Sequence, residues 1–119
     1  MPYLDVAWEI LITDECKAWY DSLSEEEQDS VVYAVGLLEE KGPQLRRPYA
    51  DVIHGSRYIN MKELRVQHDG RPYRVLFIFD PERNAVLLIG GDKTGNHRWY
   101  EEFVPKADAI YTEYLAKTR

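Results

Sequence analysis

The dipeptide Asp69-Gly70, set between two periodic apolar runs, is the feature that most restricts what this chain can form. A two-residue type I′ turn needs positive φ at both central positions, and Asp-Gly meets that need at little cost. The sequence therefore predicts an antiparallel hairpin in which the numbers of paired residues add up to 139. This register places Arg65 directly opposite Arg74.

A second, longer turn is predicted at residues 80–84, because Pro81 suits a turn position and not a central strand. The third strand then brings Gly90 or Gly91 opposite Arg74. Two glycines there remove side chains beside the arginines, so another backbone or a ligand could approach closely. The chain continues into Lys93, and three basic groups converge at one end of the sheet, where they suit phosphate.

Arginines that face each other across a sheet destabilise it by a few tenths to about 1 kcal/mol. Glu63 lies nearby in sequence and offers one way to relieve this repulsion. An anionic ligand offers another. Both explanations are open at this level, and neutralisation by Glu63 is favoured over a role as a catalytic base.

The N-terminal third predicts one strand and two helices. Val6–Leu11 reads as the first strand, and Asp14 is a candidate N-cap for a helix with an apolar stripe. Ser24 and Glu27 have the spacing of a capping box for a second helix, which ends at residues 41–43, Lys-Gly-Pro. The two helices should pack as a hairpin on one face of the sheet.

The remaining segments are less regular. Residues 44–60 have little periodicity and hold several basic side chains, so they read either as a functional loop or as a connection that covers a sheet edge. The C-terminal aromatic stripe is helical in spacing, but Pro105 predicts two helical pieces that join near Val104. The expected fold class is α+β, with a mostly antiparallel four-stranded sheet, an N-terminal helix hairpin and a C-terminal helix.

Composition supports one domain over residues 1–119, since the chain is 45% apolar and too short for two cores. It has no long apolar run and no signal-peptide layout, so a cytoplasmic protein without membrane contact is expected. The net charge of −6 works against binding nucleic acid. Its distribution is uneven: residues 1–40 carry −10, residues 41–98 carry +5 and the remainder carries −1.

Other chemistry finds little support in the sequence. The histidines His54, His68 and His97 lack the paired spacing of a metal site, and Cys16 stands alone at a core-like helix position. Glycine and lysine near residue 93 lack the spacing of a nucleotide-binding P-loop. Neither a metal nor another cofactor is expected.

Four segments carry a resemblance to a known family: GSRYINMKELR at 55–65, YRVLFIFDP at 73–81, LLIGGDKTGN at 87–96, and the WYEEFVPKAD helix that follows. They resemble the RelE/ParE superfamily of bacterial toxins, particularly HigB-like and phage-derived toxins of toxin–antitoxin modules. Members include ribosome-dependent mRNA endonucleases, gyrase poisons and relatives without catalysis, so the fold alone does not settle the target.

The resemblance implies metal-free cleavage of mRNA on the ribosome, by attack of the 2′-hydroxyl on the adjacent phosphodiester. Such chemistry needs a base, an acid and positive charge at the phosphate oxygens. The candidate catalytic residues are Arg65, Arg74, Lys93, His97 and Glu63. The candidate RNA-binding residues are Arg46, Arg47, Arg57, Lys62, Arg71 and Tyr100. The resemblance further implies a cognate antitoxin, often of the helix-turn-helix type.

Two alternatives belong to other functional classes. A ParE-like toxin would act on DNA gyrase through surface contacts, and removal of charge at Arg74 or Lys93 would leave its toxicity largely intact. A non-catalytic relative would only bind its antitoxin. The acidic net charge favours these alternatives, whereas the convergence of basic residues favours the nuclease.

Overall fold

The structure is a computed structural model that describes residues 7–118. Its elements are β1 (Glu9–Ile12), α1 (Asp14–Asp21), α2 (Glu25–Lys41), a short 3-10 turn (Gly42–Gln44), β2 (Ala50–Val52), β3 (Lys62–His68), β4 (Arg71–Phe79), β5 (Asn84–Asp92) and α3 (Trp99–Lys117). No helix within the described range combines the length and apolar character needed to cross a lipid bilayer.

Over residues 7–118 the sheet has five strands in the order β1-β5-β4-β3-β2, and of these only β1 is parallel to its neighbour. The α+β class and the mostly antiparallel sheet are confirmed, whereas the expected count of four strands is too low. The additional strand, β2, lies inside the segment 44–60. Its three residues are too few to show a periodic pattern, and pairing with β3 makes them a strand.

The central hairpin has the predicted register. Asp69 and Gly70 have φ of 49° and 75°, as a type I′ turn requires, and Arg65 is the pairing partner of Arg74. Arg74 in turn pairs with Gly91 on β5, one of the two glycines expected there.

The helix hairpin of α1 and α2 covers one face of the sheet. The capping box of Ser24 and Glu27 is present at the start of α2, as predicted. The N-cap of α1 is Thr13 and not Asp14, because the Thr13 hydroxyl both accepts from the Cys16 amide at 3.3 Å and bonds the Leu87 carbonyl of β5 at 2.8 Å. The first strand begins at Glu9, later than predicted, and Val6 lies outside the described residues.

The C-terminal helix is continuous, so the predicted break near Val104 is wrong. Pro105 is exposed, and the carbonyl that loses its amide partner therefore faces the solvent side of α3. Val104, Ala107 and Tyr111 are buried against the sheet on both sides of the proline. This packing holds the two halves in one line.

The core has two layers, one on each face of the sheet. Phe77 and Leu64 are fully buried under α1 and α2, and Leu76 and Leu88 are fully buried under α3. Each such side chain stabilises the fold by about 1.5–3 kcal/mol. Cys16 belongs to the first layer, and burial raises the pKa of its thiol to about 12, as expected for a structural cysteine.

Candidate anion-binding site

The centre of the candidate site is the arginine pair on neighbouring strands. Arg65 of β3 and Arg74 of β4 lie directly opposite each other on the face of the sheet that α3 covers. The Arg65 side chain is 28% exposed and the Arg74 side chain 11% exposed. Arg65 can therefore reach a ligand from solvent, whereas Arg74 lies behind it.

Glu63 compensates both charges from beneath. Its carboxylate accepts from Arg65 Nε at 3.0 Å with one oxygen and lies 3.5 Å from Arg74 Nε with the other. The Tyr100 hydroxyl donates to Glu63 at 2.5 Å. Glu63 is 3% exposed, so this small ionic network is removed from water and held in one geometry.

One wall of the candidate site is formed by the start of α3 and by the residue that follows the end of β5. Burial, and next the hydrogen bond to Glu63, raise the pKa of Tyr100. Lys93 places its ammonium 5.1 Å from the centre of the Tyr100 ring, and its amide donates to the Pro72 carbonyl at 3.0 Å. Lys93 thus lies beside Tyr100, whose hydroxyl contacts the Glu63 carboxylate shared by the two arginines.

The opposite wall comes from β2 and its flanks, and it borders a solvent-open cavity of about 370 Å³. Arg47, Asp51 and His54 line this cavity together with Arg65 and Tyr100. Asp51 bridges two guanidinium groups, with Arg47 Nε at 2.7 Å and Arg65 Nη2 at 3.5 Å from the same carboxylate oxygen. The hydrogen bond from Arg47, aided by the nearby positive charges, lowers the pKa of Asp51.

Asp51 and His54 were absent from the residues proposed on sequence grounds. Both belong to the segment 44–60, for which the sequence left open a functional loop and a connection that covers a sheet edge. The missing information was β2, since pairing of Asp51 with Glu63 is what carries this segment to the site.

Several predicted site residues lie elsewhere. Lys62 and Arg71 project from the other face of the sheet: Lys62 lies over the Phe79 ring, and Arg71 lies 3.5 Å from Glu27 of α2. His97 is exposed in the turn before α3, and it makes no hydrogen bond or ion pair with another described residue. Arg46 and Arg57 are also exposed and lie outside the residues that line the cavity.

The two glycines of β5 serve packing and not a ligand. A Cβ on Gly90 would lie 2.3 Å from the indole of Trp19 in α1, and a Cβ on Gly91 would lie 2.8 Å from that of Trp99 in α3. The close approach that these glycines permit is made by the protein's own side chains, because indoles from both layers fill the space. Their approach seats α3, and with it Tyr100, against the arginine pair.

The arrangement can bind an oxyanion and has the acid–base groups to act on one. Guanidinium groups stay charged and bind phosphate oxygens in pairs, and an imidazole and a phenol stand at the same cavity. Among the described residues, no three His, Cys, Asp or Glu side chains are placed to hold a metal ion.

Comparison with known proteins identifies the family. The sequence model described as phage derived protein Gp49-like (DUF891) matches residues 18–112. This chain belongs to the Gp49-like family. HigB3 of Mycobacterium tuberculosis, strain H37Rv, is named as a toxin and is 43% identical over 108 residues, which cover 90% of this chain and 93% of HigB3. HigB2 of the same strain, also named as a toxin, is 42% identical over 106 residues, but the match covers 87% of this chain and only 53% of HigB2.

Solved structures show that the Gp49-like chain has a RelE-like fold. A mutant of the Escherichia coli toxin RelE in the free state has a TM-score of 0.58 at 10% identity, over 95% of this chain and 99% of RelE. The RelBE2 toxin–antitoxin complex from M. tuberculosis has a TM-score of 0.58 at 18% identity, over 73% of this chain and 99% of that one. An archaeal RelE–RelB complex from Pyrococcus horikoshii OT3 has a TM-score of 0.55 at 16% identity, over 76% and 98%. The resemblance noted in the sequence is confirmed.

Proposed function

We propose that this protein is the toxin of a type II toxin–antitoxin module and cleaves mRNA on the ribosome. Its family and its HigB relatives support the toxin role. The observation that carries the nuclease is Arg65, a partly exposed guanidinium at a cavity that also holds an imidazole and a phenol. These are the groups that cleavage by a neighbouring 2′-hydroxyl requires.

The scissile phosphate binds at Arg65 and Arg47, and it displaces Asp51 from between them. Both guanidiniums can then contact the non-bridging oxygens, where negative charge increases in the transition state. Arg74 is mostly buried and hydrogen-bonded to the Tyr73 carbonyl at 3.0 Å, so it acts by supporting Arg65 and by adding positive potential. Lys93 adds a further charge near Tyr100.

His54 is the acid–base candidate that the cavity favours. Both imidazoles are exposed, but His54 lines the same cavity as Arg65, whereas His97 does not. An imidazole has an ordinary pKa close to neutral, which suits transfer of a proton from the 2′-hydroxyl or to the leaving 5′-oxygen. Glu63 is already engaged by two arginines and a tyrosine, so it compensates charge and does not act as the base.

The partners follow from the same proposal. RelE relatives are found in complexes with antitoxins, and this chain is expected to be neutralised by an antitoxin encoded beside it, often of the helix-turn-helix type. The shallow site offers few contacts that could fix an mRNA in one conformation. A ribosome that presents the message in a fixed path would supply that order and reduce the entropic cost.

The test is to map new mRNA 5′ ends after induction, on translated and untranslated copies of one transcript. Wild-type protein should cut only the translated copy, and Arg65→Ala should abolish the cuts. Arg71→Ala is the matched control, since it removes an ion-paired arginine from the opposite face of the sheet and should leave the cuts unchanged. Growth arrest without cuts would refute the nuclease and turn the search to gyrase or another protein target.

A second comparison separates the two histidines. His54→Gln should lower the single-turnover cleavage rate on ribosomes about 100-fold and remove one limb of the pH–rate profile. His97→Gln should leave both unchanged. If His97→Gln causes the loss and His54→Gln does not, the assignment of His54 is wrong.

A further inference from the structure

A groove of about 340 Å³ lies between α1, α2 and the sheet, on the face opposite the arginine pair. Its lining is largely apolar and includes Ile12, Val32 and Val35. Ile12 is 54% exposed and Val32 is 56% exposed. Single exposed apolar residues are ordinary on a protein surface, but these share one concave surface, which is typical of a binding site. We call it the α1–α2 groove.

The wall formed by α2 has a gap at its centre. Val32, Gly36 and Glu39 follow helical spacing along the groove. Apart from the backbone of α2 itself, no atom of the described residues lies within 4 Å of the position that a Cβ on Gly36 would occupy. A mid-helix glycine costs about 0.5–1 kcal/mol relative to alanine. Within residues 7–118, no side chain fills the space that this glycine leaves, so the space is open to a second backbone.

An acidic hollow adjoins the groove. Ile12 also lines this second concavity, of about 170 Å³, together with Asp14 and Glu15 of α1 and Glu113 of α3. Glu113 is paired with Lys117 at 3.3 Å, and the other two carboxylates belong to the exposed first turn of α1. The surface therefore changes from apolar to acidic as it passes Ile12.

We propose that groove and hollow together dock one segment of the antitoxin, in which apolar side chains are followed by lysine or arginine. The apolar part covers Val32 and Ile12 and approaches α2 closely at Gly36. The basic part meets the carboxylates of the hollow, which fixes the direction of the segment and speeds association. The proposal rests on the proposed function for the existence of an antitoxin, and it adds where and by what chemistry that partner binds.

The first test fills the gap. Gly36→Leu places a side chain in open space, so the fold should be retained, as a thermal melt will check. Ala18→Leu makes a comparable addition on an exposed α1 position outside the groove. Binding of the full-length chain to the purified protein encoded by the adjacent gene is measured by calorimetry. Gly36→Leu should weaken binding on the order of tenfold or more, and Ala18→Leu should match the wild type.

The second test addresses charge. Glu15→Lys and Glu25→Lys each reverse a carboxylate in the first turn of a helix, but only Glu15 lines the hollow. Glu15→Lys should weaken binding and reduce its dependence on salt, while Glu25→Lys should change neither. Charge variants that behave alike would refute the basic segment.

Three results would overturn the docking site. One is equal affinity of the Gly36→Leu and Ala18→Leu variants. Another is self-association of the isolated wild-type chain that Gly36→Leu abolishes, because the α1–α2 groove would then bind a second copy of the chain. The third is a wild-type chain that does not bind the neighbouring protein. The cleavage assay on translated message does not involve this partner, so it judges the proposed function separately.

Discussion

Replacement of Glu63 by alanine tests whether the arginine pair depends on this carboxylate. Glu63→Ala would leave Arg65 and Arg74 facing each other with no charge beneath them, and would remove the acceptor of the Tyr100 hydroxyl. Loss of one partner from a buried ionic network costs about 3–5 kcal/mol. A domain of this size has a free energy of unfolding of about 5–15 kcal/mol. The variant should therefore still fold, but its melting temperature should be lower by roughly 10 °C or more.

The assay is urea unfolding followed by tryptophan fluorescence, in chloride and in sulfate at equal ionic strength. Sulfate should stabilise Glu63→Ala more than the wild type, because an oxyanion can then take the place of the Glu63 carboxylate beside Arg74 and Arg65, of which Arg65 still has Asp51 at 3.5 Å. A double variant, Glu63→Ala with Arg74→Met, should recover part of the lost stability. A cost below about 1 kcal/mol for Glu63→Ala, or equal stabilisation of both proteins by sulfate, would refute this account of the site.

Three further outcomes are expected. Gly90→Ala should destabilise the protein by about 1–3 kcal/mol, because its Cβ meets the α1 indole, whereas Gly36→Ala should stabilise it by about 0.5–1 kcal/mol in the same urea titration. Hydrogen bonds lower the pKa of Glu27 from 4.5 to about 2, and the largest effect comes from the Tyr73 hydroxyl of β4. The contribution of Glu27 to stability is therefore full above pH 4.5 and is lost as the pH falls toward 2, and Glu27→Gln should lack that loss in acid titrations. Asp51→Asn should bind a 2′-O-methyl RNA several-fold more tightly than wild type in fluorescence anisotropy, because the carboxylate that competes with phosphate for the guanidiniums is gone. Asp69→Asn makes the same charge change in the hairpin turn and should not tighten binding. Equal effects of the two variants would indicate that net charge alone is responsible.

The hairpin could be predicted because its determinants are local. Asp69 and Gly70 fix the turn, the turn fixes the register, and the register fixes the opposition of Arg65 and Arg74. Side-chain alternation along the same strands also carried a signal that was not used. Lys62 is an odd number of residues from Arg65, and Arg71 is an odd number from Arg74. Lys62 and Arg71 therefore lie on the face of the sheet opposite the arginine pair.

The parts that could not be predicted depend on contacts distant in sequence. Thr13 and Asp14 are both good N-caps, and a bond to the β5 carbonyl of Leu87 decides in favour of Thr13. Pro105 breaks an isolated helix, but burial on both sides of it keeps α3 whole. Asp51 and His54 reach the site only through pairing of β2 with β3, which three residues do not encode locally.

The charge distribution within the fold bears on how the proposed site would find RNA. The excess of +5 in residues 41–98 suggests a basic surface, yet Arg47, Arg65 and Arg74 are each within ion-pair distance of Asp51 or Glu63. Paired charges produce little potential beyond a Debye length of about 10 Å at 0.1 M salt, and the acidic helices oppose what remains. Long-range attraction is therefore weak, and binding has to come from short-range exchange of Asp51 for phosphate. A site that works this way should discriminate poorly among free RNAs and gain its selectivity from the ribosome that delivers the message.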